Sequence, residues 1–121
     1  MKGVWVLAVA AFGVGAAIGA AGASGKEIFE KRCTGCHSLD HEKVGPHLRG
    51  VYGRTAGSVP SFPYSEALRK ARVTWDSKTL DKWLMGPAEF IPDNDMAFRV
   101  PNAEERAALI EYLQSLNRGD P

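Results

Sequence analysis

Cysteine occurs at two positions in this chain of 121 residues, Cys33 and Cys36, and a histidine follows the second directly. The run Cys33-Thr34-Gly35-Cys36-His37 constrains the fold more than any other feature. C-x-x-C-H is the pattern of covalent haem attachment. The two-residue gap lets two thiols reach the two vinyl groups on one haem edge. The thioethers hold the cofactor in either oxidation state, and the adjacent His37 is carried over the iron as an axial ligand. The rival reading is a disulfide, which an oxidising compartment would favour. A bridge across two residues is tight and redox-active, and its usual thioredoxin-like setting needs a strand before the motif. The residues before Cys33 read as helix instead. A small domain buries only a limited core, and a large apolar cofactor would supply much of the missing interior.

The first 23 residues read as separate from that domain. Lys2 is followed by an uncharged apolar stretch from position 4 to about position 23, ending in Ala21-Gly22-Ala23. A positive start, an apolar middle and a small-x-small end describe a cleaved secretory signal peptide. The stretch is also near the ~20 residues that span a bilayer, so an uncleaved anchor is the alternative. Its richness in Ala and Gly, and a helix start directly after it with no linker, favour cleavage. Residues 24–121 then form one domain with 14 basic and 14 acidic residues. Zero net charge argues against nucleic acid as a partner and against strong binding to anionic lipid.

Along the domain, Ser24-Gly25-Lys26-Glu27 is a capping-box pattern that opens a helix running to the cysteine motif. Ile28, Phe29 and Cys33 share one face of it. Residues 38–63 are rich in Gly and Pro and read as a long loop, the kind that is usually functional. A short helix is expected over 64–70. Asp76 caps another through Leu80, Trp83 and Leu84, stopped by Gly86-Pro87. A second loop, 86–101, carries Met96. Asn102 opens the last helix, lined by Leu109, Tyr112, Leu113 and Leu116. No segment alternates as a strand. The expected fold is all-α, with about four helices wrapped around one haem.

The sixth iron ligand has few candidates. Methionine and histidine are the usual partners in carriers, and methionine gives the higher potential. Met1 leaves with the signal peptide. Met85 sits beside Trp83 and Leu84 and reads as core. Met96 lies in a loop that can swing across the haem face opposite His37. His41 and His47 lie on the histidine side and read as loop or surface residues.

The order of these motifs resembles the class I c-type cytochromes, the family of mitochondrial cytochrome c and bacterial cytochrome c2. The resemblance rests on Cys33-Thr34-Gly35-Cys36-His37, Gly45-Pro46-His47-Leu48, Gly53-Arg54-Thr55-Ala56-Gly57, Phe62-Pro63-Tyr64-Ser65, Thr74-Trp75, Ile91-Pro92, Met96-Ala97-Phe98 and Leu109-Ile110-Glu111-Tyr112-Leu113. It implies that the Pro46 carbonyl accepts the second ring N–H of His37. It implies that Arg54, Tyr64 and Trp75 bind the haem propionates. Gly25 and Phe29 are then expected to meet Leu109 and Tyr112 where the first and last helices cross. Phe98 would lie near the haem and the solvent-facing edge. Three positions depart from the family. Trp83 stands where many relatives have tyrosine near the methionine sulfur, and an indole can donate but not accept. Asn94 replaces a common threonine and keeps a donor for a propionate. Leu68 replaces an asparagine that organises internal water, and a drier pocket favours ferrous haem. The lysine ring around the haem edge is thin: Arg32 and Lys43 stay, while Asp95 and Glu89 intrude.

The resemblance, with the signal-peptide reading of residues 1–23, thus implies a soluble, monomeric, periplasmic one-electron carrier with one haem c, attached through Cys33 and Cys36 and ligated by His37 and Met96. It would work between membrane redox complexes, a donor such as a bc1-type complex and an acceptor such as an oxidase, reductase or reaction centre. No enzymatic activity is expected. The alternatives are a peroxidase-like enzyme or gas-binding protein with an open iron position, and a membrane-anchored carrier.

Overall fold

The computed structural model describes residues 1–13, 15 and 22–119. Part of the expected signal segment, including Ala21 of the cleavage site, lies outside the described residues. Residues 1–13 carry no regular secondary structure. Among the described residues, no helix is long and apolar enough to cross a membrane.

Five α-helices follow: α1 (Gly25–Arg32), α2 (Glu66–Lys70), α3 (Ser77–Met85), α4 (Pro87–Phe90) and α5 (Ala103–Ser115), with a 3-10 turn at Leu116–Arg118. The all-α expectation holds. Among the described residues the only extended pairing is one isolated antiparallel bridge, Thr55 to Thr74. The long helices start where local chemistry satisfies their free N–H groups. Ser24 accepts from the Glu27 N–H (3.2 Å) and Asn102 from the Glu105 N–H (3.0 Å). Asp76 and Thr79 form a complete capping box on α3. The helix α4 departs from the expected reading. Gly86-Pro87 does end α3, but a proline tolerated at the first helical position also starts a new turn.

The helix α5 packs against both α1 and α3. Gly25 makes the first of these contacts close. A Cβ there would collide with the Ala108 carbonyl oxygen and come within 2.7 Å of the Tyr112 Cβ. One turn on, the rings of Phe29 and Tyr112 lie 5.6 Å apart. The core centres on Val100 and Leu109, 0 and 1% exposed. Met85 is a correction: it is 48% exposed, not core. The buried residues of α3 are Leu80, Trp83 and Leu84. Each helical residue turns about 100°, so the position after Leu84 rotates away from that face.

Candidate functional site

Between the helices and the 38–63 loop lies a cavity of about 410 Å³, within the ~300–1,000 Å³ usual for cofactor sites. Every site residue singled out from the sequence lines it: Cys33, Cys36, His37, Pro46, Arg54, Tyr64, Trp75, Trp83, Asn94, Met96 and Phe98. Leu68, Leu80, Leu84, Leu109 and Leu113 supply apolar wall.

The thiol wall is built by the end of α1. Cys33 caps the helix, its N–H donating to Phe29 O (2.9 Å). The Cys36 and His37 N–H groups then both donate to Cys33 O, at 3.2 and 2.8 Å. That turn brings both sulfurs and the imidazole to one cavity. No disulfide joins the two cysteines. Burial pushes the Cys33 thiol up to about 11, against a smaller opposing pull from Arg32.

The His37 ring is fixed from behind. Its Nδ1 lies 2.8 Å from Pro46 O. A carbonyl can only accept, so Nδ1 carries the proton and Nε2 keeps its lone pair. Burial lowers the His37 pKa, which favours the neutral, ligating form; the Pro46 bond opposes this and Lys43 assists. Gly45 permits the approach, since a Cβ there would run into the imidazole. The Gly45 N–H is itself held by Cys36 O (2.8 Å).

Met96 enters from the segment after α4. Its N–H donates to Asn94 Oδ1 (2.7 Å), and Asn94 Nδ2 donates to Ile91 O (2.8 Å). Asn94 thus organises the loop that presents Met96, and one amide N–H is left over. Trp75 and Trp83 pack at 5.3 Å between centroids. Leu68 is buried in the wall, so the cavity is apolar there, in line with the drier pocket expected from this position.

Arg54 is the clearest sign of what the cavity holds. Its guanidinium is half-buried and donates to the carbonyls of His47 and Arg49, both at 2.8 Å. Burial lowers its pKa, and neither of those partners is a carboxylate. A half-buried cation lining an apolar cavity is a ready partner for an anion held inside it. Tyr64 OH accepts from the Val59 N–H (3.2 Å), which leaves its own proton to donate into the cavity. An apolar slot with thiols at one wall and a cation with hydroxyl and indole donors at another fits a haem bearing propionates.

At the rim, Arg32 stacks over Phe98 (5.3 Å to the centroid) and pairs with Glu105 (2.5 Å). Phe98 is 38% exposed. Lys43 Nζ donates to Thr34 O (2.6 Å). His41 is exposed, and His47 pairs with Glu42 (2.5 Å). Sequence reasoning missed Arg106 of α5, which is buried and hydrogen-bonded to the chain just after Met96. A signal was there: positions 106, 109, 110 and 113 form one helical stripe, and a charge inside an apolar stripe marks a buried polar network.

Small helical proteins with a thiol pair and an imidazole set into one apolar cavity form the class that carries covalent haem. The family model for cytochrome c matches residues 22–117, and the chain belongs to that family. Cytochrome c type-1 of Ascaris suum is 43% identical over 94 residues, covering 75% of this chain and 84% of its own length. The cytochrome c of Chlamydomonas reinhardtii is 41% identical over 96 residues, 76% of this chain and 86% of that one. The cytochrome c-type cyt cy of Rhodobacter capsulatus is 40% identical over 97 residues, which is 78% of this chain but 49% of that longer protein. The chain is accordingly a monohaem c-type electron carrier with a covalently attached haem c.

Proposed function

We propose that this protein is a periplasmic carrier whose haem is bonded through Cys33 and Cys36 and ligated by His37 and Met96. The observation that carries the reading is the shared cavity: a neutral imidazole oriented by Pro46 and a thioether presented by Asn94 line the same apolar space. When bound, haem c supplies a one-electron Fe(II)/Fe(III) couple. The chain does the rest. Pro46 holds the His37 tautomer and strengthens the imidazole as a ligand. The leucine wall would exclude water, and Arg54, Tyr64 and Trp75 would receive the propionates. Trp83 packs beside Trp75, and Phe98 covers the rim. His37 and Met96 would together hold the iron, and a packed scaffold around a doubly held iron would move little as its charge changed.

Residues 1–23 would direct export and be removed, which places the carrier between membrane redox complexes. Its encounters would be small and transient, as redox contacts tend to be. Replacing Met96 by Ala tests the ligation directly. The variant should bind small external ligands at the iron and show a strongly lowered potential; an unchanged absorption spectrum refutes the assignment. Mass spectrometry of the native N-terminus tests export. A mature chain starting near Ser24 is expected, and an intact residue 1–23 segment would make the protein an anchored carrier instead.

A further inference from the structure

Resting on the His37/Met96 ligation read above, we propose that Arg106 is a positioning residue that sets how firmly Met96 is held at the haem iron.

Arg106 is 6% exposed, among the least exposed charged side chains described. Its guanidinium spans three parts of the molecule. Nε donates to Asp81 Oδ1 on α3 (2.7 Å), and Nη1 donates to the carbonyls of Val100 (3.0 Å) and Pro101 (2.9 Å). Val100 is itself fully buried, and its N–H donates to Leu84 O (2.7 Å).

These bonds close the loop that presents Met96. On its N-terminal side the loop is held by Asn94. On the other side, four residues on, it is held at Val100 and Pro101. Four residues span at most ~14 Å, so an anchor at position 100 shortens the tether on which Met96 moves and raises the cost of swinging it out of the cavity. The intervening Asp95, Ala97, Phe98 and Arg99 are exposed, and their contacts to Arg32, Met85 and Glu89 lie at the surface.

Other arginines touch the same segment differently. Arg32 reaches Arg99 O at 3.5 Å, and Arg99 reaches Met85 O at 3.1 Å; both contacts are exposed, and water can replace the donor. The contact from Arg106 to Val100 is buried. Removing that donor leaves the Val100 carbonyl, which finds water only when the loop opens. The closed loop loses stability and the open one does not. A packing role alone would be filled as well by a leucine or methionine on the 106/109/110/113 stripe.

The test measures imidazole binding to the ferric holoprotein. External imidazole must displace Met96, so its apparent affinity reports the population of the open loop. Arg106→Lys and Arg106→Met should tighten apparent imidazole binding roughly tenfold, with the methionine–iron absorption band still present without ligand. Asp81→Asn keeps the guanidinium at the carbonyls and should give a smaller change in the same direction. The surface variant Lys70→Gln should match the wild type. If Arg106→Met fails to fold, Arg106→Lys and Asp81→Asn still decide. Lower denaturant resistance with imidazole affinity within about twofold of wild type would make Arg106 merely structural and overturn the proposal. Absence of the methionine band in the wild type would overturn the ligation reading, and this proposal with it.

Discussion

The imidazole of His37 works because of residues that never touch the iron. Pro46 supplies the carbonyl and Gly45 the clearance, and both lie in a loop with few helical constraints. That loop is tied down by an ion pair, Arg49 with Asp40 (2.7 Å), and by a hydrogen bond between His47 Nδ1 and Glu42 (2.5 Å). The Arg49 hydrogen bond holds the Asp40 carboxyl below its ordinary 3.8, and the His47 bond holds Glu42 below its ordinary 4.5. A depressed carboxylate stabilises the fold at pH values above its unfolded pKa. That contribution disappears as pH falls through the folded value. Stability should therefore be insensitive to these two groups above about pH 5 and decline below it, with the 38–50 segment loosening first. Carboxyl titrations followed by NMR should place both midpoints under their ordinary values, and Arg49→Gln should return Asp40 to its own. Midpoints at or above 3.8 and 4.5 would refute the tethering. Neither pair was legible in the sequence, because an ion pair across a loop depends on how the loop turns back. His37 and the thiols were legible because their spacing is set by the cofactor's chemistry.

Among the elements, the crossing of α1 and α5 has the tightest backbone contact, and glycine is its requirement. A methyl group at Gly25 meets the Ala108 carbonyl, backbone that cannot move without shifting α5. Gly25→Ala should cost about 1–3 kcal/mol, read as a lower denaturation midpoint of the holoprotein. The ligand absorption bands should persist while it is folded. A midpoint equal to wild type would show that the helices slide apart without penalty. The helix starts were readable at Ser24, Asp76 and Asn102 because caps are local chemistry. The helix α4 was hidden because Gly86-Pro87 signals a stop and a start with the same residues. Met85 was misread for a different reason: adjacency to Trp83 and Leu84 in sequence is not adjacency on a helix face. Arg106 escaped attention because the partners that justify its burial, Asp81, Val100 and Pro101, come together only in the tertiary fold.

For the whole molecule, charge decides how partners are met. Residues 24–121 balance 14 basic against 14 acidic side chains, and of the few cations near the cavity mouth Arg32 is offset by a carboxylate while Lys43 keeps its charge. Lys43 is bound to the Thr34 carbonyl, and Arg32 is paired with Glu105. Asp95, beside Met96, is exposed. Steering by an acidic partner should therefore be weak, since attraction at the rim is set by cations free to face it. Electron transfer to a strongly acidic acceptor should change less than about tenfold between 0.01 and 0.15 M salt, although the Debye length falls from ~30 to ~8 Å over that range. Glu105→Gln isolates the cause. It removes one negative charge beside Arg32 while leaving the α5 cap intact, because the cap uses the Glu105 backbone N–H and not its side chain. A half-exposed ion pair contributes little to stability, so the variant should fold as the wild type does. Arg32, no longer neutralised, should then raise the low-salt rate with the acidic acceptor and steepen its fall as salt is added. Stopped-flow rates across an ionic-strength series measure both. Superimposable series for wild type and Glu105→Gln would mean that partners do not approach over Arg32, and that the docking face lies away from the Phe98 rim.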